Sequence, residues 1–248
     1  MIVASSRDPH WLSNTWLVAD RPGGKAVLID TGGPLEPILA RIAELRVEPE
    51  LVLCTHHHHD HVAHNADYKG RYGCPVCGHA SEEHMFGGLD RTLADGEELR
   101  VGELRVRALH IPGHTVGQLA FVVDDEAVFT GDTLFRGSVG GTRAPGHADF
   151  EALRRSIMDR LLVLPDGTTV YPGHMEPTSI ARERAENPFV RLWLGADAPG
   201  HERVEAFGRP AELLVEARDY DGGTKCQVRF LDDGTLDVVP GSRVRRPS

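Results

Sequence analysis

The hydrophobic pattern of the first 190 residues alternates between short β-type runs and longer segments with helical spacing. Residues 15–19 and 25–29 are rich in aliphatic and β-branched side chains and flank an Arg-Pro-Gly-Gly turn, which predicts a hairpin. Apolar residues at 35, 38, 39, 42 and 45 predict a helix over 34–46. The same reasoning predicts strands over 51–54, 74–77, 99–109, 118–123, 127–130 and 169–171, and helices over 62–72, 150–162 and 177–186.

The pattern changes near residue 195. Residues 195–210 are rich in Gly and Pro and predict a linker, and three short β-type runs follow at 213–217, 225–231 and 236–239. We therefore expect a main α/β domain over residues 1–195, and a linker with a small all-β element over residues 196–248. An element of about 40 residues is marginal alone, so we expect it to pack on the main domain or on a partner.

Composition narrows the possible functions. The chain has 27 basic and 37 acidic residues, and its net charge of −10 argues against nucleic-acid binding. No apolar run approaches the roughly 20 residues of a membrane span, and the first residues lack the pattern of a secretory signal. Four cysteines do not make a disulfide scaffold. We expect a cytoplasmic protein that acts on a small molecule and has no nucleic-acid or membrane partner.

The candidate chemistry is concentrated in a histidine-rich run at residues 56–61, which follows the predicted strand 51–54. Because side chains alternate faces in an extended segment, His56 and His58 point the same way and the histidines after each of them point the other way. A turn into a helix would swing Asp60 and His61 back towards the first pair. Imidazole and carboxylate ligands suit Zn²⁺, and also Fe or Mn. A solvated loop or a tag remnant is the alternative, but neither fits a strand-to-helix transition.

Three further side chains of metal-ligand type each follow an apolar strand and a tight glycine turn. They are His114 in Pro-Gly-His, Asp132 in Thr-Gly-Asp, and His174 in Tyr-Pro-Gly-His. Active sites of layered α/β folds collect on such strand ends, and glycine lets the backbone approach an ion closely. We expect these three residues to join the histidine-rich run in one site.

Together these motifs resemble the metallo-β-lactamase superfamily. The His-x-His-x-Asp-His motif at 56–61, His114, Asp132 and His174 occur in the family order, and residues 27–32 resemble its first motif, in which Asp30 supports the site. Residues 131–135, 171–174 and 187–189 are similar to the glyoxalase II (hydroxyacylglutathione hydrolase) branch. The resemblance covers about residues 10–195. It implies an αββα sandwich with a metal site at one edge, here extended by the small C-terminal all-β element.

The resemblance also implies a binuclear metallo-hydrolase. One metal would be held by His56, His58 and His114, and the second by Asp60, His61 and His174, with Asp132 bridging both. The two divalent ions would be Zn, with Fe or Mn as alternatives, and no other cofactor is implied. A metal-bridging hydroxide, oriented by Asp60, would attack a carbonyl, which makes Asp60 and Asp132 the catalytic carboxylates. A thioester of the hydroxyacyl-glutathione type is the implied substrate, because a thiol with a pKa near 8.5 leaves readily as thiolate.

The chain departs from the glyoxalase II branch in two places. Position 141, where that branch carries a basic residue, is glycine, so Arg136 and Arg143 become the candidates for binding substrate. The branch's C-terminal Lys/Arg cluster for glutathione is also missing, which leaves the thiol carrier open. A mononuclear iron persulfide dioxygenase and a lactone or lactam hydrolase on the same fold remain alternatives.

A Cys-x-x-Cys pair at Cys74 and Cys77 could form half of a zinc site or a redox pair. The sequence contains no second such pair, and the segment also fits a core strand. We therefore expect both cysteines to be buried structural residues.

Overall fold

In the computed structural model, which describes residues 1–247, the first six strands form one mixed sheet. They are β1 (Ile2–Arg7), β2 (Asn14–Ala19), β3 (Lys25–Ile29), β4 (Glu48–Leu53), β5 (Val76–His79) and β6 (Arg91–Leu93). They lie side by side in chain order; β1 to β3 pair antiparallel, and β3 to β6 pair parallel. The segments that follow the parallel strands therefore leave the sheet at the same edge.

The second sheet also has six strands, in the order β14-β13-β10-β9-β8-β7. Its strands are β7 (Glu98–Val101), β8 (Leu104–His110), β9 (Leu119–Val123), β10 (Ala127–Gly131), β13 (Thr169–Pro172) and β14 (Thr178–Ser179). Between β10 and β13 the chain forms a separate two-stranded ribbon of β11 (Leu134–Phe135) and β12 (Ser138–Val139). The pair β10 and β13 is parallel, so residues after both strands also emerge at one edge.

The two sheets pack face to face over a hydrophobic core, and each is covered on its outer side. In β2, Trp16 and Val18 face the second sheet, whereas Leu17 and Ala19 pack under the helices on the outer face. This period-two alternation of two apolar faces is expected for strands that are buried on both sides.

Helices cover both outer faces and complete an αββα sandwich, which confirms the predicted fold class. They are α1 (Leu35–Leu45), α2 (His59–Val62), α3 (Asn65–Tyr72), α4 (Phe150–Arg155), α5 (Ile180–Glu186) and α6 (Pro188–Trp193). The predicted helix over 62–72 is split, because the chain turns between Val62 and Asn65. The predicted helix over 150–162 continues from α4 as a π-helical turn, and the Asp149 carboxylate accepts from the Ala152 amide at 2.7 Å as its N-cap.

The C-terminal region forms a third, antiparallel sheet in the order β18-β17-β16-β15-β19. Its strands are β15 (Glu202–Ala206), β16 (Arg209–Arg218), β17 (Thr224–Phe230), β18 (Leu236–Pro240) and β19 (Val244–Arg245). The predicted linker over 195–210 is therefore wrong in its second half. Val204 and Ala206 alternate inwards against Phe230, an apolar pattern too short to stand out beside the neighbouring Gly and Pro residues.

The third sheet packs against the helical face of the second sheet. Ala217 and Val238 belong to the buried cluster that contains Phe189, and the Trp193 indole donates to Gln227 Oε1 at 2.8 Å. The small C-terminal sheet thus packs on the main domain, as expected for an element of this size. The boundary between the two at residue 195 stays a prediction.

Cys74 and Cys77 are buried with free thiols. Burial raises the pKa of the Cys77 thiol to about 11, so the pair has the burial and the protonated thiols that are typical of core cysteines.

Each helix described in residues 1–247 is too short or too polar to cross a lipid bilayer.

Phe121 lies fully buried between the two sheets. We expect Phe121→Ala to lower the free energy of unfolding by about 3–5 kcal/mol, because it leaves a cavity in the sandwich core. Val163→Ala is the matched surface control, since Val163 is 68% exposed, and it should change stability by less than about 0.5 kcal/mol. Denaturant titration of both variants checks this, and comparable losses would contradict the described core.

Candidate metal centre

The candidate site lies where strands of both sheets end at the same edge of the sandwich. The histidine-rich run follows β4, His114 follows β8, Asp132 follows β10, and His174 follows β13. Backbone hydrogen bonds connect these strand ends: the Leu119 amide donates to Thr55 O at 2.8 Å, and the Gly173 amide donates to Gly131 O at 2.8 Å. The strand ends of the two sheets are therefore joined directly beneath the site.

Two groups of potential ligand atoms face each other across this edge. His56, His58 and His114 form the first group, with donor atoms within 4.8 Å of one another. The second group is formed by Asp60, His61 and His174, within the same distance limit. Each group supplies three side-chain donors, which is the number that a catalytic metal ion commonly takes from protein.

The Asp132 carboxylate lies between the two groups. Its Oδ2 is 3.2 Å from His174 Nε2 and 3.6 Å from His114 Nε2, and its Oδ1 is 3.3 Å from His61 Nε2. One carboxylate thus contacts members of both groups. All seven residues that the motif indicated are brought together at this edge, although the site is built from four separate parts of the chain.

Contacts on the far side of each ring fix which nitrogen faces the centre. His114 Nδ1 lies 2.9 Å from Gly141 O, and His58 Nε2 lies 2.9 Å from Pro145 O. Because a carbonyl oxygen only accepts, these ring nitrogens carry the proton, and the other nitrogen keeps its lone pair. His114 therefore presents Nε2 to the centre and His58 presents Nδ1, which is the arrangement that metal-ligating histidines use.

Asp30 supports the centre from below. Its buried carboxylate accepts from the Thr55 amide and the Thr55 hydroxyl, both at 2.8 Å, and lies 3.0 Å from His61 Nδ1. The Thr55 hydroxyl, having donated to Asp30, accepts from His56 Nδ1 at 3.0 Å. The supporting role that the family motif implied for Asp30 thus has a physical basis, because one carboxylate orients two histidine rings.

Burial and neighbouring charges give the histidines of the two groups different pKa values. Burial lowers the pKa of His114 to about 4 and that of His56 well below its ordinary value. Burial also opposes charge on His61, but the carboxylates of Asp132 and Asp30 outweigh it and raise the pKa of His61 well above the usual range. Burial lowers the pKa of His58 as well, so the first group consists of neutral imidazoles, the form that binds a metal ion.

The residues at this edge fit divalent metal ions. His56 Nε2 is buried and has no hydrogen-bond partner among the described residues, although it faces the other donors. Leaving such a lone pair buried without a partner costs free energy, and a metal ion would satisfy it. A donor set of imidazoles and carboxylates suits Zn, Fe and Mn.

The remaining histidines of the run point elsewhere, as the alternation predicted. The His57 ring contacts Glu82 Oε2 at 2.8 Å, and His59 packs edge-on against Trp11. Glu82, which is fully buried, also accepts from the amides of His57 at 3.0 Å and Gly117 at 2.6 Å. Sequence reasoning missed Glu82, because nothing in its surroundings marks it as the anchor of a loop 25 residues away.

The two predicted substrate-binding arginines have different surroundings. Arg136 is exposed, and no described residue pairs with it in an ion pair. Arg143 pairs with Asp237 of β18 and lies over the rings of Phe207 and Phe230. Arg143 thus ties its loop to the third sheet, and a contact with substrate stays a prediction for both residues.

Two residues of the third sheet that the sequence did not single out reach the site. The Tyr220 ring stacks on the His174 ring, with centroids 4.0 Å apart and planes inclined by 9°. Burial and the negative charges of Asp132 and Asp219 raise the pKa of Tyr220. Lys225, which is 7% exposed, lies near Gly141 and is 2.8 Å from Asp219. Both residues lie more than 40 positions beyond His174, so no local motif connects them with it.

A cavity of about 860 Å³ lies away from this centre. Lys25, Glu48 and Glu50 line it, and Lys25 pairs with the two carboxylates at 2.7 and 2.9 Å. Four basic and three acidic side chains line this cavity, and no member of the two donor groups is among them. The convergence of unpaired donors, and not the size of the cavity, therefore marks the functional site.

Comparison with known proteins agrees with this geometry. The model of the metallo-beta-lactamase superfamily matches residues 9–174. Hydroxyacylglutathione hydrolase GloC from Haemophilus influenzae is 35% identical over 185 residues, which cover 66% of this chain and 87% of the relative. A hydroxyacylglutathione hydrolase from Methylococcus capsulatus is 45% identical over 166 residues, which cover 66% of this chain and 62% of the relative.

Two solved structures are similar over most of the chain. ETHE1 from Myxococcus xanthus superimposes with a TM-score of 0.66 and 30% identity, over 80% of this chain and 92% of that one. TTHA1623 in a di-iron-bound form superimposes with a TM-score of 0.62 and 34% identity, over 76% of this chain and all (100%) of that one.

The position of Asp132 between the two groups generates a prediction about metal content. We expect Asp132→Ala to lose at least half of the bound metal and nearly all activity, because both groups lose the carboxylate between them. His57→Ala should keep its metal, since that ring contacts Glu82 instead, and should lower the free energy of unfolding by about 1–3 kcal/mol through the weakened pairing of Glu82. Elemental analysis and denaturant titration measure both effects, and equal metal loss in the two variants would refute the arrangement.

Proposed function

This chain belongs to the metallo-beta-lactamase superfamily, in its glyoxalase II-like branch, and we propose that it is a binuclear metallo-hydrolase that cleaves thioesters of hydroxy acids. The observation that carries the proposal is the position of the Asp132 carboxylate between two three-residue donor groups. The relatives named hydroxyacylglutathione hydrolase support the reaction class. The thiol carrier can be glutathione or another small thiol.

The proposal divides the site residues by role. His56, His58 and His114 would hold one divalent ion, and Asp60, His61 and His174 the other, with Zn as the first choice and Fe or Mn as alternatives. Asp132 would bridge the two ions. Its charge is retained at neutral pH, because His174 and His61 outweigh the effect of burial and keep the pKa of Asp132 well below its ordinary value.

When bound, the metal pair supplies a Lewis acid for the substrate carbonyl and a nucleophilic water at neutral pH. The side chain of Asp60 is 25% exposed and opens towards solvent, with Oδ2 3.6 Å from His174 Nε2. In this proposal it would accept a hydrogen bond from the attacking water and orient it. Asp30 keeps the His61 ring in place through the contact at 3.0 Å and so holds the second donor group in register.

The surroundings of the site favour a substrate with a good leaving group. The loop from 135 to 143 contains no acidic residue, and its Ser138 and Thr142 hydroxyls donate to Asp219 and Asp237. A thiolate needs no proton to leave, because thiols have pKa values near 8.5, whereas an amine leaving group does. Arg136 is exposed, and in this proposal it would bind a carboxylate on the thiol carrier.

The proposed compartment is the cytoplasm. All four cysteines have free, buried thiols, which suits a reducing environment. The net charge of −10 supports a small-molecule substrate over nucleic acid.

A mononuclear iron persulfide dioxygenase is the second candidate. The similarity to ETHE1 from Myxococcus xanthus fits it, and the first donor group with Asp132 could hold a single iron by itself. Lactone or lactam hydrolysis is a third candidate, because the same nucleophile can attack those carbonyls.

Kinetics on metal-analysed protein separate these reactions. We expect kcat/KM for S-lactoyl-glutathione, or for the lactoyl thioester of another small thiol, to exceed that for every β-lactam in a panel by more than tenfold, or roughly 1.4 kcal/mol in transition-state binding. The physical reason is that thiolate leaves without an acid. A preference for β-lactams by the same factor would overturn the thioesterase proposal.

Oxygen consumption tests the dioxygenase alternative. Protein reconstituted with Zn²⁺ or Fe²⁺ should consume no oxygen when mixed with glutathione persulfide. Oxygen uptake by a form that holds one iron per chain, without thioester hydrolysis, would establish the alternative instead.

A further inference from the structure

The third sheet touches the metal centre through one hairpin. β16 and β17 pair along Ala211–Arg218, and the turn between them carries Tyr220. The Tyr220 ring lies parallel to the His174 imidazole at 4.0 Å, and the Phe135 ring packs on it at 5.1 Å with a 60° inclination. The third sheet thus forms one wall of the site, next to the second donor group.

This turn is held in place from both sides. Asp219 accepts from the Ser138 hydroxyl at 3.0 Å, which ties the turn to the loop after Asp132. Asp219 is also 2.8 Å from the buried Lys225 ammonium, and the side chains of this pair are 6% and 9% exposed. Such a buried ion pair fixes geometry more than it adds stability. The Tyr220 ring is therefore presented to the site in a defined position.

The hydroxyl of Tyr220 is left free by these contacts. The ring is half-buried, and within residues 1–247 the hydroxyl makes no hydrogen bond. A phenol with an ordinary pKa near 10 is protonated at neutral pH and can donate one hydrogen bond. Because the Tyr220 ring stacks on His174 at 4.0 Å, a substrate whose carbonyl carbon reaches the donor groups beside His174 would bring the atoms next to that carbon close to Tyr220.

We infer that Tyr220 determines acyl-group specificity: its hydroxyl donates a hydrogen bond to the hydroxyl group next to the carbonyl of a 2-hydroxyacyl thioester. This rests on the proposed function, since it names the acyl part that the site recognises. The third sheet is then part of the active site and determines which acyl group is bound, while the residues of the metal centre carry out the hydrolysis.

The test is a double-mutant cycle that removes one hydroxyl from the enzyme, one from the substrate, and both together. Tyr220→Phe removes the hydroxyl and keeps the stack on His174. The substrates are S-lactoyl-glutathione and S-propionyl-glutathione, which differ by the hydroxyl. We expect the wild type to prefer the lactoyl ester, and the variant to lose about three- to tenfold of that preference, the range for one partly exposed neutral hydrogen bond. Metal content should stay unchanged.

The matched control is Tyr72→Phe, since Tyr72 is also partly buried but lines the distant large cavity. It should keep the wild-type preference. If Tyr220→Phe keeps the wild-type preference for the lactoyl ester, or loses activity equally on both esters, the inference is overturned. Tyr220 would then not recognise the hydroxyl group of the substrate.

A binding measurement separates this inference from the proposed function. If the wild type hydrolyses neither ester, nor the same acyl groups on other small thiols, the proposed function fails. Calorimetry of lactate and propionate with the metal-loaded protein then decides the role of Tyr220. A preference for lactate that Tyr220→Phe loses supports recognition of the hydroxyl. No preference in the wild type, or one that the variant keeps, overturns it.

Discussion

The carboxylate of Asp132 is a buried negative charge, and the arrangement of both sheets around it compensates that charge. The side chain is 8% exposed and lies within 3.6 Å of imidazole nitrogens from three separate segments. Burying a carboxylate costs several kcal/mol unless it is paired. The segments after β4, β8 and β13 supply those partners to the carboxylate after β10, so the sandwich must close at this edge for the charge to be satisfied.

Close backbone packing makes this convergence possible. Gly173 and Gly140 lie against Asp132, and a Cβ at either position would collide with its carboxylate or its carbonyl. The backbone amide of Asn14, at the start of β2, donates to Gly173 O at 2.8 Å, and the Asn14 side-chain amide donates to Pro172 O at 3.1 Å. The centre is therefore held by glycine contacts and by bonds between the sheets, and not by the ligand side chains alone.

Much of this could be predicted from sequence, because the information is local. Helix α1 follows from apolar spacing, the N-cap of α4 from Asp149, and the alternation of the histidine run from the geometry of an extended segment. The strand at 202–206 was missed because Val204 and Ala206 form a short pattern inside a Gly- and Pro-containing stretch. Glu82 and Tyr220 were missed for another reason: their partners lie 25 and 46 residues away, and only tertiary packing brings them together.

The third sheet is in direct contact with the candidate metal centre. Its contacts through Asp237, Asp219 and Tyr220 all reach the segment that follows Asp132 or the ring of His174. Under the proposed function, the residues that would hold metal and the hairpin that would contact the acyl group therefore belong to different parts of the fold.

The central claim is that Asp132 bridges two metal ions, and diffraction from crystals of zinc-loaded protein at the zinc absorption edge tests it most directly. The account predicts two anomalous peaks, one beside His56, His58 and His114 and one beside Asp60, His61 and His174. Each should lie at about 2.0–2.2 Å from an oxygen of Asp132. A single peak at full zinc occupancy, or two peaks of which only one contacts Asp132, would contradict it.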